Sequence, residues 1–339
     1  MIEINGNKCH VTLAKKITPK LSFNESRDYT EWKAEVSEKL IELLGMEFIE
    51  ENACEPNLTI EEDVMMDGYR RIRFIFYSEM DAPVPCYLLI PNTGKEKYPV
   101  AICLQGHSTG FHNSIGVIKY ERDAEGQPRK SFALQAVQNG FVALCIEQRS
   151  MGERRPPDPA DRAHNCCFQV HNAFMLGRTT IGERVWDISR AIDLLAGFDQ
   201  CDIDKICITG NSGGGTASFY AACIDERIKV SIPSCAFCPY DDSIMAMLHC
   251  GCNYIPSARR YFEMQDLACL IAPRKLAIVA GVGDPIFPIE GVKRGYETAK
   301  EIFTAAGVPD NVSLTITPKE HWWCEDIVWP LIKETTGWI

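Results

Sequence analysis

The stretch Lys205-Ile206-Cys207-Ile208-Thr209-Gly210-Asn211-Ser212-Gly213-Gly214-Gly215-Thr216-Ala217 decides the fold. An apolar, strand-like run meets Gly210-Asn211-Ser212-Gly213-Gly214, a Gly-x-Ser-x-Gly pattern, and small residues follow. Flanking glycines remove the Cβ clash of a sharp strand-to-helix turn, which can hold a serine hydroxyl clear of the backbone. A helix opening at Gly213 can lie close to a sheet and direct its first amides at the serine. A second match, Gly106-His107-Ser108-Thr109-Gly110, also follows an apolar run, but Phe111-His112-Asn113-Ser114 shows no helical pattern. Ser212 is the nucleophile candidate; Ser108 is the alternative.

Working outward, short apolar runs recur at Tyr98–Leu104, Phe141–Ile146, Lys229–Ile232, Lys275–Ala280 and Val312–Thr317. Near-continuous Val/Ile/Leu/Ala runs suit strands buried on both faces of a parallel sheet. Helical spacing separates most of them, at 131–139, 181–196, 214–224 and 290–306, so an α/β sheet covered on both sides is expected. Upstream, Trp32, Val36, Leu40, Leu43 and Leu44 share one face of a helix over 27–44. Runs around Arg71–Tyr77 and Pro85–Ile90, joined at Asp81-Ala82-Pro83, read as an antiparallel ribbon. The expected organisation is a helical extension over 1–57 and an α/β domain over 58–339. Two segments, 148–177 and 235–270, interrupt the alternation as functional loops.

After Ser212 the acid and base candidates each follow a strand. Asp284 lies in Gly281-Val282-Gly283-Asp284-Pro285, where glycines and proline fix a tight turn, and His321 follows Thr317 by four residues. Either residue alone reads as an ordinary turn aspartate or packed histidine. The order Ser…Asp…His, each member just past a strand, is that of one serine-hydrolase architecture. Glu290, Glu320 and Asp326 are weaker acids because none directly follows a strand.

The chain resembles the α/β-hydrolases, on the branch of dienelactone hydrolases and acetyl xylan esterases. The residues that carry the resemblance include Leu104-Gln105-Gly106-His107, Glu147-Gln148-Arg149-Ser150-Met151-Gly152, Gly177-Arg178-Thr179, Val185-Trp186-Asp187, Gly210–Gly215, His249-Cys250-Gly251-Cys252-Asn253-Tyr254 and Gly283–Pro288. It departs from dienelactone hydrolases proper, which have a cysteine where this chain has Ser212, and Gln105 replaces a histidine usual before the oxyanion glycine. The resemblance implies a serine esterase acting on a small ester, such as an acetylated sugar. Ser212 would attack, His321 act as base and Asp284 orient it. Gly213 and His107 would supply the oxyanion amides. Arg149, His249, Tyr254 and Trp322 are the substrate-binding candidates. A prolyl oligopeptidase-like peptidase and a catalytically silent binding protein are the competing readings.

Net charge is −11, which disfavours nucleic acid or an anionic membrane as a partner. No apolar run reaches the eighteen or so residues of a membrane span. Sixteen cysteines without a leader-like start read as a reduced, cytoplasmic protein, with Cys103, Cys145 and Cys207 as buried strand residues. Homo-oligomerisation is left open. Cys235-x-x-Cys238 and His249-Cys250-x-Cys252 hold zinc-type donors, but Phe237, Pro239 and Tyr240 give the segment the character of a pocket wall. No metal and no cofactor are expected. Cys166 and Cys167 read as two packed thiols, Arg149, Arg154 and Arg155 as loop anchors or acid binders, and Trp186-Asp187 as structural. Trp323 is left between core and sugar platform.

Overall fold

In the computed structural model, which describes residues 4–156 and 166–339, nine strands pair into one sheet. Along the chain these are β1 (Thr59–Met66), β2 (Tyr69–Glu79), β3 (Ala82–Pro91), β4 (Tyr98–Leu104), β5 (Val142–Ile146), β6 (Cys201–Asn211), β7 (Ile228–Ser234), β8 (Lys275–Gly281) and β9 (Val312–Thr317). Their order across the sheet is β1-β2-β3-β5-β4-β6-β7-β8-β9. The first three run antiparallel, and β5 through β9 are mutually parallel in that order.

Strand alternation separates two cores. Val100, Ile102, Leu104, Val142, Leu144, Ile206 and Ile208 point into one, against the helices Tyr29–Leu44, Thr180–Leu195, Gly213–Ile224 and Ile289–Ala305. Ala101, Cys103, Ala143, Cys145 and Cys207 point into the other, against Phe132–Gln138 and Glu325–Thr336. The strand cysteines are thus small apolar residues on the second face.

The N-terminal helix Tyr29–Leu44 is capped by Asp28, which accepts the Glu31 amide, and ends at Gly45 with φ +74°. Its buried Trp32, Val36, Leu40 and Leu44 join the first core directly. Four such side chains contribute on the order of 6–12 kcal/mol of gross burial, which makes the helix part of the fold's foundation.

Four elements of eight residues or more escape a reading of sequence pattern. The edge strand β1 is exposed along nearly its whole length and is held by ion pairs to β2: Arg70–Asp63, Arg71–Glu62 and Arg73–Glu61. The helix Glu325–Thr336 holds Pro330 in its interior, a residue that argues against a helix. Lys8–Lys16 and Cys167–Met175 are the others. The 235–270 insertion is a succession of single turns ending in Ala268–Ile271. The 148–177 insertion includes residues 157–165, which lie outside the described residues. Among the described residues, no helix is long and apolar enough to cross a membrane.

Candidate active site

Strand β6 ends at Asn211 and the helix begins at Gly213, so Ser212 is the whole turn, at φ +58° and ψ −124°. A left-handed φ costs a non-glycine residue about 1–3 kcal/mol and persists only where surroundings over-determine it. Here the Ser212 amide donates to the Ser234 carbonyl at 2.9 Å and its own carbonyl accepts the Thr216 amide at 2.8 Å. The loop leaving β4 presses against the turn: a Cβ on Gly106 would stand 2.7 Å from the Asn211 carbonyl oxygen and 3.1 Å from Ser212 Cβ. Ser108 has no such turn; its Oγ lies 3.5 Å from the Gly110 carbonyl within its own loop.

At the ends of β8 and β9 two loops are pressed together, because a Cβ on Gly281 would fall 1.8 Å from the Glu320 carbonyl oxygen. This brings Asp284 Oδ2 to 2.8 Å from His321 Nδ1. Asp284 Oδ1 accepts the amides of Ile286 at 2.8 Å and Phe287 at 3.0 Å. Burial pushes this carboxyl up, but the His321 hydrogen bond and charge and the two amides outweigh it and hold it below the usual aspartate range. The Phe287 ring stacks on His321 with centroids 5.9 Å apart. Asp284, rather than Glu290, Glu320 or Asp326, is the carboxylate on the imidazole. Sequence reading missed a neighbour: the Cys235 Sγ lies within 4.8 Å of donor atoms of both Asp284 and His321. Burial, then the charge of Asp284, pushes its thiol up to about 12, so it stays neutral.

Ser212 and His321 line one cavity of about 410 Å³, together with His107, Arg129, Lys130 and Trp322. Among the described residues Ser212 Oγ makes no hydrogen bond to His321, an approach that bound substrate commonly tightens. The Arg129 guanidinium lies 4.2 Å from the centroid of the Trp322 ring. His107 sits at the start of the helix after Ser212: a Cβ on Gly213 would be 3.2 Å from its Nδ1.

Gln105 and the Glu147–Gly152 stretch tie the β4 and β5 loops together behind this cavity. Gln105 Nε2 donates to Glu147 Oε1 at 2.9 Å, and Gln148 Nε2 donates to the Gln105 carbonyl at 2.5 Å. Glu147 also accepts the amides of Phe111 and Glu153. Burial raises the Glu147 carboxyl to about 7, against the lowering effect of those amides.

The four substrate-binding candidates disperse. Trp322 is on the cavity wall and 45% exposed. Its neighbour Trp323 is core, with Nε1 bonded to Gln135 Oε1 at 2.9 Å. His249 is buried, its Nε2 3.1 Å from Ser243 Oγ and its ring edge-on to Phe287. Tyr254 lines a different, apolar cavity beside the helix Lys8–Lys16 and donates to the Ile244 carbonyl at 2.9 Å. Arg149 is a correction: it does not reach the Ser212 cavity, because Glu79, Glu183 and Asp187 surround its guanidinium in a buried network. Arg154 joins the same network at Asp187, 2.6 Å away. The paired thiols also part, with Cys166 buried and Cys167 exposed at a helix start.

A serine turn after a central parallel strand, an acid loop two strands later and a histidine after the last strand define an α/β-hydrolase. The chain belongs to the Abhydrolase family, whose model matches residues 5–228, a span that includes Ser212 but ends before Asp284. It is 26% identical over 229 residues to YtaP of Bacillus subtilis (strain 168), a provisionally assigned hydrolase, covering 67% of this chain and 74% of that one. Its fold is similar to that of a provisionally assigned acetyl xylan esterase from Bacteroides fragilis NCTC 9343, at TM-score 0.82 and 14% identity over 98% of this chain and 95% of the other. A CE15 glucuronoyl esterase from Teredinibacter turnerae T7901 follows at TM-score 0.67 and 15% identity, covering 96% and 89%.

Proposed function

We propose that the protein is a serine esterase in which Ser212 attacks an ester carbonyl, His321 is the general base and Asp284 orients the imidazole. The observation that carries this is the 2.8 Å bond from His321 Nδ1 to a buried Asp284, in a cavity shared with Ser212 at its left-handed turn. With Nδ1–H donated to the carboxylate, Nε2 is the basic nitrogen. It takes the Ser212 proton during attack and returns it to the leaving alkoxide; water then repeats the sequence to release the acid. The Gly213 and His107 amides are assigned to the tetrahedral oxyanion.

The substrate reading is a small carboxylic ester on a carbohydrate, an acetyl ester first. About 410 Å³ accommodates a sugar-sized group, and Trp322 is the partly exposed aromatic residue on its wall, with Arg129 over its ring. A second reading, an ester whose acid component is a sugar acid, is favoured by Arg129 and Lys130 on the cavity wall, since cations there suit the carboxylate released. Turnover of acetylated sugars against methyl esters of hexuronic acids separates the two.

Replacing Ser212 by Ala is expected to lower kcat by about 10⁶, the scale of nucleophile loss in a serine hydrolase. It should also abolish covalent labelling by a fluorophosphonate. A Ser212→Ala protein that keeps esterase activity and labelling would overturn the assignment.

A further inference from the structure

Four soft donors from three separate parts of the chain meet beside the Ser212 turn. They are His107 in the loop after β4, Cys166 just before the helix Cys167–Met175, and Cys250 and Cys252 on either side of Gly251. His107 Nε2 is 3.1 Å from Cys252 Sγ, the Cys250 and Cys252 sulfurs are 3.4 Å apart, and all four donor atoms lie within 4.8 Å of one another. Tetrahedral zinc with Zn–S near 2.3 Å and Zn–N near 2.0–2.1 Å sets donor separations of about 3.6–3.8 Å. To close around one ion, the two shorter separations must open by about 0.4–0.5 Å and the others, bounded at 4.8 Å, change by about 1 Å at most.

The charge of the surroundings points the same way. Arg184 is 2% exposed, and its partners are the Arg149 carbonyl, at 2.9 Å from Nη2, and Cys252 Sγ, at 3.5 Å from Nη1. Among the described residues no carboxylate forms an ion pair with it. A buried guanidinium without a counter-charge is strongly unfavourable, and three neutral thiols with a neutral imidazole supply none. Three thiolates and one imidazole around a divalent ion carry a net charge of −1, which cancels Arg184.

We infer that His107, Cys166, Cys250 and Cys252 form a structural Cys₃His site for Zn²⁺, with Arg184 as its counter-charge. Four protein ligands leave no open position, so the ion is a fastener and not the reaction's Lewis acid. It ties the β4 loop to the two insertions. Because His107 is a ligand through Nε2, the ion also fixes the backbone whose amide is assigned to the oxyanion. That last consequence rests on the esterase reading; the site itself does not. The pairing differs from the one sequence spacing suggests, since Cys235 lies beside Asp284 and Cys238 beside Asp242 and Gly291.

The test is metal content of the full chain purified under reducing conditions, by elemental analysis, before and after stripping with a chelator and reloading with Zn²⁺. About one equivalent is expected, restored on reloading and lost in Cys250→Ser and Cys252→Ser, while Cys54→Ser keeps it. Because a serine variant could misfold, the stripped parent is also titrated with Co²⁺. Intense tetrahedral ligand-field bands with a thiolate charge-transfer band are expected. No bound Zn²⁺ and no such Co²⁺ spectrum would overturn the site, as would a disulfide from Cys166 to Cys250 or Cys252 that persists through purification under reducing conditions. Esterase activity does not enter these readouts, so failure of the zinc site and failure of the esterase reading are separable.

Discussion

Replacing Asp284 by Asn changes one heavy atom and asks one chemical question. The asparagine side chain keeps an oxygen for the amides of Ile286 and Phe287, now at 2.8 and 3.0 Å, so the loop stays in place. The other carboxylate oxygen, 2.8 Å from His321 Nδ1, becomes an NH₂ group. A donor there requires an acceptor on Nδ1, which moves the imidazole proton to Nε2 and removes the base. The same change in a serine protease lowers kcat by about 10⁴, or about 5.5 kcal/mol of transition-state stabilisation. Steady-state kinetics on p-nitrophenyl acetate should show that loss in kcat with KM nearly unchanged. Stability adds a second readout. The folded Asp284 carboxyl is held below its usual 3.8, so its ionised form stabilises the fold above that pH and the contribution is lost as pH falls through the folded value. Denaturation of the Asp284→Asn protein should therefore show less acid-side loss than the parent, with the parent the more stable at neutral pH and the difference closing as pH falls. A variant within tenfold of the parent kcat would refute the tautomer argument, whatever its stability.

Glu147→Gln should flatten the dependence of stability on pH. The parent carboxyl titrates near 7 in the fold against 4.5 when exposed, so its contribution is fully present below about pH 4.5 and lost as pH rises toward 7, a swing of about 3 kcal/mol. Gln105 Oε1 is buried without a partner, and a flipped Gln105 amide can accept from the new NH₂. Urea denaturation at pH 5 and pH 8 reads the difference between the two proteins, and equal swings would contradict the burial argument. Asp187→Ala should cost about 3–5 kcal/mol by the same method, because Arg149 and Arg154 would keep buried charge with one acceptor gone. A loss under about 1 kcal/mol would mean that water enters the network.

Much of the architecture was legible because strands and helices here bury their apolar faces in the ordinary periods. β4, β8 and β9 begin where their runs of Val, Ile, Leu and Ala begin, and the helices around Trp32 and Ile181 follow from single-face spacing. What stayed hidden has other sources of stability. β1 owes its place to alternating ion pairs with Arg70, Arg71 and Arg73, which leave no apolar signature. The helix Glu325–Thr336 tolerates Pro330 because packing of Val328, Trp329 and Ile332 on the second core outweighs one missing hydrogen bond.

The candidate site divides along the same line. Ser212, Asp284 and His321 each follow a strand of a parallel sheet, and such a sheet delivers its strand ends to one edge; order along the chain is then enough to bring Asp284 and His321 together. Residues contributed by insertions have no such guarantee. Arg149 lies one loop away from the serine but turns to Glu79, Glu183 and Asp187, three acids whose convergence only the packing of β2 on the helix Thr180–Leu195 creates. Spacing alone would group Cys250 and Cys252 with Cys235 and Cys238, yet they meet Cys166, more than eighty residues earlier, and His107, 145 residues before Cys252. A buried arginine lacking an acid marks that cluster only in the structure: Arg184 lies between Glu183 and Asp187 in sequence, but those acids pair with Arg149, Arg154 and Arg178 and leave it to Cys252.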